Sequence, residues 1–130
     1  MGANDRFMTS VLNPMKVLVV EDEALIRFEL VDILEDAGLT VLEAGNADEA
    51  ITVLEAHTDI RLVLTDIQMP GNLDGVRLAH FIHGRWPPIS LLIMSGNVKV
   101  AIEDLPERSV FLPKPFHPPV LLRKIGDLTS

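Results

Sequence analysis

The sequence predicts a doubly wound α/β domain: five parallel strands with helices packed on both faces. Three observations lead there. Short strand-like runs alternate with segments of helical periodicity along the whole chain, the pattern of repeated βαβ units. The strand-like runs are apolar at nearly every position instead of every second one, as strands covered on both faces require. Polar and charged residues gather just after those runs, where open α/β sheets place their ligands.

In chain order, "KVLVV" (Lys16–Val20) predicts β1. "EALIRFELVDILEDAG" (Glu23–Gly38) predicts α1, with Leu25, Phe28, Val31, Ile33 and Leu34 as its apolar stripe and Gly38 as its stop. "LTVLEA" (Leu39–Ala44) predicts β2. "NADEAITVLEAH" (Asn46–His57) predicts α2, capped by Asn46 with Glu49 three residues on, a capping-box pattern. "IRLVLTD" (Ile60–Asp66) predicts β3, and "PGNLDG" a turn. "VRLAHFIHGRW" (Val76–Trp86) predicts α3, stopped by Pro87 and Pro88. "ISLLIMSG" (Ile89–Gly96) predicts β4. "NVKVAIEDLPE" (Asn97–Glu107) predicts a weaker α4, cut by Pro106. "SVFLP" (Ser109–Pro113) predicts β5. "HPPVLLRKIGDL" (His117–Leu128) predicts α5, with prolines in its first turn.

Composition narrows the function classes. The chain has 130 residues, 48% of them apolar and 23% charged, which suits one folded domain. Residues 1–14 read as a flexible N-terminal tail and 15–128 as the domain. A net charge of −8 argues against direct nucleic-acid binding through a basic face. The absence of cysteine excludes disulfides, thiolate zinc sites and cysteine nucleophiles, and fits a cytoplasmic location. No apolar run approaches the roughly 20 residues needed to span a bilayer, so no membrane insertion is expected.

In a parallel sheet all strands end on one edge. Glu21 and Asp22 follow β1, Asp66 ends β3, Ser95 lies at the end of β4, and Lys114 follows β5. These residues are expected to converge. Two carboxylates about 4 Å apart repel by roughly 4 kcal/mol at an effective dielectric of 20. A site gathering three must protonate one or bind a cation. Carboxylate oxygens suit magnesium, a hard ion that keeps positions open for phosphate oxygens. Lys114 adds a fixed positive charge and Ser95 a hydroxyl donor. The set fits a phosphoryl group, which an aspartate can accept as an acyl phosphate.

Together, "VLVVEDE", "LVLTDIQMPG…DG", "IMSG" and "FLPKPF" resemble the receiver domain of two-component response regulators, in order and in spacing, over Met15 to Leu128. The resemblance implies the flavodoxin-like strand order 2-1-3-4-5. It implies Asp66 as the phosphoacceptor and Mg2+ held by Asp22, Asp66, the backbone carbonyl of Gln68 and, through water, Glu21. It implies Ser95 as the switch hydroxyl, Lys114 as the phosphate-binding lysine, Phe111 as the switching aromatic, and a cis Lys114–Pro115 bond. The implied partners are a histidine kinase or histidine phosphotransfer protein and a downstream protein target. Output is expected from the α4–β5–α5 face, by protein contact, phosphorelay or a phosphorylation-dependent dimer, without an attached DNA-binding domain. The implied chemistry is self-phosphorylation and dephosphorylation at Asp66, not turnover of an external substrate.

Three features depart from the family pattern. "MPGNLDG" is one residue longer than the commonest form. The stretch from Ser95 to Lys114 is short and contains "LPE". Phe111 lacks a hydroxyl, so switching there rests on ring burial alone.

Two rival readings stand beside this one. A small aspartyl-phosphate phosphohydrolase would want a second acid two residues after the nucleophile, where this chain has Gln68. A degenerate receiver acting unphosphorylated would not need the complete set of acids, lysine and hydroxyl. His80 and His83 share a helix face but have no third ligand nearby in sequence, and read as surface or half-buried residues. His57 and His117 read as loop residues, and Trp86 as a helix-end anchor.

Overall fold

The computed structural model describes residues 15–67, 75–95 and 105–129. Five parallel strands lie in the order β2-β1-β3-β4-β5. They span Lys16–Val20, Thr40–Ala44, Ile60–Asp66, Ser90–Ser95 and Val110–Pro113. Four helices are described: α1 (Ala24–Asp36), α2 (Ala47–Ala56), α3 (Gly75–Arg85) and α5 (Pro118–Thr129). Most of the predicted α4 falls on 96–104, outside the described residues. Its last three positions, Leu105 to Glu107, are not helical.

The uniformly apolar strands feed two cores, because successive side chains leave a strand on opposite faces. Leu18, Val20, Val63, Leu91 and Ile93 pack with Leu54 of α2 and Leu78 and Ile82 of α3. Val17, Val19, Leu62, Leu64, Leu92 and Met94 pack with Leu30 and Leu34 of α1 and Leu121 and Ile125 of α5. The helices thus pair off on the two faces, as a doubly wound sheet requires.

One expectation about α1 is corrected. Leu25 and Phe28 do not face the core; they are 83% and 52% exposed. The helix carries two overlapping apolar registers, and only one can face the sheet. The one that wins runs through the buried Leu30, Leu34 and Ala37 with the half-buried Ile26 and Ile33. At the other end of α1, Gly38 has φ 98°, a left-handed conformation that glycine adopts without strain, and its N–H bonds the Glu35 carbonyl at 3.0 Å. For α2, Asn46 Oδ1 accepts the Glu49 N–H at 2.8 Å. Glu49 Oε1 reaches back to the N–H of Gly45 at 2.7 Å, one residue earlier than the standard box.

Candidate functional site

The carboxyl edge of the sheet is extended past the strands by backbone bonds. Glu21 N–H donates to Ala44 O at 3.0 Å, Ile67 N–H to Met94 O at 3.0 Å, and Lys114 N–H to Ser95 O at 2.9 Å. Polar residues just beyond the strands are thereby fixed on a rigid frame.

Asp66 closes β3 and is buried, with 6% exposure; Glu21 follows β1 and is 1% exposed. Lys114 follows β5 and reaches both: Nζ stands 2.6 Å from Asp66 Oδ2 and 3.1 Å from Glu21 Oε1. Asp22 is exposed at the mouth. One carboxylate oxygen from each of Glu21, Asp22 and Asp66 lies within 4.8 Å of the others. Among the described residues this is the one acidic or histidine group so arranged, and His80 and His83 form no such group.

The electrostatics follow from burial. The carboxyl of Glu21 is raised above its ordinary value, chiefly by desolvation; the Glu23 N–H, 3.1 Å from Oε2, and the Lys114 ammonium pull partly the other way. For Lys114, desolvation alone would lower the ammonium. Hydrogen bonds to Asp66 and Glu21, with their charges, outweigh it and hold the group above its ordinary value. The donor set is all carboxylate oxygen, with one ligand open to solvent, and fits a hard divalent ion such as magnesium. The Gln68 carbonyl lies outside the described residues.

Ser95 ends β4 fully buried. It follows Met94, which is paired with Asp66, so the hydroxyl residue sits one step beyond the acidic one on the neighbouring strand. Phe111 of β5 is half-buried against the α2–α3 core and pairs with Ile93. Alternation puts Phe111 and Ser95 on the same side of the sheet. The Lys114–Pro115 peptide is cis.

Sequence reasoning passed over the reason for Gly75. Its N–H donates to Ile67 O at 2.7 Å, and a Cβ there would run into the carbonyl of Asp66 and the backbone of Ile67. Only glycine lets α3 begin that close to the end of β3. The "DG" pair in the sequence was the available signal.

A cleft of about 990 Å³ lies at the opposite edge of the sheet. It is lined by Lys16, Thr40, Arg61, Ser90 and Arg108 and contains none of the converging acids.

The family model for the response regulator receiver domain matches residues 17–126. This chain belongs to the response regulator receiver domain family. The receiver is 34% identical over 116 residues to the response regulator receiver protein CpdR of Brucella abortus, covering 87% of this chain and 95% of that one. It is 37% identical over 111 residues to the transcriptional regulatory protein PdtaR of Mycobacterium tuberculosis, covering 79% of this chain and 51% of the relative. Against FleR of Pseudomonas aeruginosa it is 36% identical over 110 residues, 82% of this chain but 23% of that protein. The receiver thus spans about half of PdtaR and about a quarter of FleR. Among solved structures, a receiver domain protein from Clostridium thermocellum superposes with a TM-score of 0.80 at 28% identity, covering 88% of this chain and 93% of that one. A receiver protein from Sinorhizobium medicae gives 0.80 at 27% identity, with 89% and 94% coverage.

Proposed function

We propose that this receiver accepts a phosphoryl group at Asp66 from a phosphohistidine of a histidine kinase or phosphotransfer protein. The observation that carries the reading is the Lys114 ammonium, which bridges the buried carboxylates of Asp66 and Glu21. An Asp66 carboxylate oxygen attacks phosphorus. The P–N bond to imidazole breaks, the P–O bond of an acyl phosphate forms, and the imidazole keeps the electron pair and takes up a proton. Lys114 is placed to follow the incoming charge, exchanging a carboxylate oxygen for a phosphoryl oxygen. Glu21, Asp22 and Asp66 would hold magnesium, with the Gln68 carbonyl as a further ligand. When bound, magnesium supplies positive charge that offsets the charge gathered on the equatorial oxygens.

Ser95 would bond the new phosphoryl group, and Phe111 would respond by deeper burial of its ring. That couples the site to the α4–β5–α5 surface as a shift between two populations. Output then runs by protein contact, phosphorelay or dimerisation through that surface. The test is mass spectrometry after incubation with magnesium and acetyl phosphate. The parent gains one phosphoryl group and Asp66→Asn gains none; equal labelling of both removes Asp66 from this role.

A further inference from the structure

Glu21 is tethered at every polar atom. Its N–H donates to Ala44 O, Oε2 accepts from Glu23 N–H, and Oε1 accepts from Lys114. Its carbonyl oxygen accepts from Arg27 Nη1 at 2.7 Å. That carbonyl belongs to the peptide joining Glu21 to Asp22, so its direction sets the start of the Asp22 backbone. Arg27 sits in the first turn of α1, and its Nε donates to Glu43 Oε1 of β2 at 3.0 Å. The side chain is 18% exposed and lies beside Gly45, where a Cβ would stand 3.6 Å from Nη1. One planar guanidinium therefore ties three elements together: α1, the end of β2 and the turn after β1. Glu23, the N-terminal cap residue of the helix, makes no side-chain capping bond, so its own N–H to Glu21 Oε2 and the Arg27 guanidinium hold this end.

We propose that Arg27 is a positioning residue for the cation site, fixing the Glu21–Asp22 peptide so that both carboxylates face Asp66. The inference rests on the phosphoacceptor reading above and deepens it. An arginine suits the task because its fork reaches a carbonyl and a carboxylate at once and keeps its charge at any working pH. Lysine has the charge without the fork. Groups that orient metal ligands typically contribute tenfold or more to affinity.

Isothermal calorimetry of magnesium binding to the unphosphorylated full chain tests this, with parent, Arg27→Met and Arg27→Lys compared. R27M is expected to bind magnesium about tenfold more weakly, and R27K to fall between R27M and parent. Labelling by acetyl phosphate at saturating magnesium should return to the parental level in both, because the carboxylates themselves remain. Parental magnesium affinity in both variants overturns the proposal. So does weakened labelling that saturating magnesium fails to restore, which marks general damage to the fold. If R27M does not fold, the affinity of R27K decides alone. A parent chain that binds no magnesium would instead remove the phosphoacceptor reading beneath the proposal.

Discussion

The ammonium of Lys114 donates to Oδ2 of Asp66 across 2.6 Å, joining residues 48 positions apart in the chain. The same ammonium holds Glu21, so the acidic pocket carries its own counter-ion. That bond makes lysine and a divalent cation competitors for the same oxygens. A unit positive charge about 4 Å from a divalent cation is unfavourable by about 2 kcal/mol in water and about 8 kcal/mol at an effective dielectric of about 20. Lys114→Met is therefore expected to bind magnesium at least about fivefold more tightly by calorimetry while accepting phosphoryl groups far more slowly. Weaker magnesium binding in this variant would contradict the competition.

The same substitution leaves two buried carboxylates without their ammonium. Without magnesium, Lys114→Met should lose about 1–3 kcal/mol of stability near neutral pH. Urea unfolding with and without saturating magnesium checks it, and the ion should recover most of the loss.

Glu21 gives a pH signature. Its carboxyl is raised in the fold, chiefly by burial, so the folded chain holds that proton more tightly than the unfolded chain. Its contribution to stability is fully present below the ordinary value of about 4.5 and is lost as pH rises through the folded value. In magnesium-free buffer, the stability of the parent relative to Glu21→Gln should fall as pH rises from about 4.5 toward neutrality. Urea midpoints across that range measure it; parallel curves would show that Glu21 titrates normally.

Gly75 lies where a Cβ would meet the backbone of Asp66 and Ile67, 2.8 Å from the Ile67 carbonyl carbon. Backbone cannot step aside as a flexible side chain can. Gly75→Ala should lower stability by about 3 kcal/mol and shift the end of β3 at Asp66. Slower labelling by acetyl phosphate should accompany the loss.

Asn46→Ala serves as the contrast. It removes the bond to Glu49 N–H at the start of α2 and should lower stability by about 1 kcal/mol. Magnesium affinity should stay at the parental value, since the cap touches none of the converging acids.

The elements were legible in the sequence because their signals are local. Strand runs, the Asn46 cap, the Gly38 stop and the proline start of α5 each depend on neighbours a few residues away. Where two local signals overlapped, the reading failed. Leu25 and Phe28 fit a helical stripe as well as Leu30 and Leu34 do, and only packing against the sheet chose between them. The weaker stretch that Pro106 cuts lies mostly outside the described residues, and Leu105 to Glu107, at the cut, are not helical.

By itself, then, the sequence determined which residue types stand at the strand ends and, through the parallel order, that they share an edge. The tertiary structure alone decided that Lys114 reaches Glu21 and Asp66 together, that Gly75 touches the Asp66 backbone, and that Arg27 grips the Glu21 carbonyl. The reason is physical. Periodicity and capping are set between residues near in the chain, whereas these contacts join strand and helix ends whose separation depends on register and packing on both faces of the sheet.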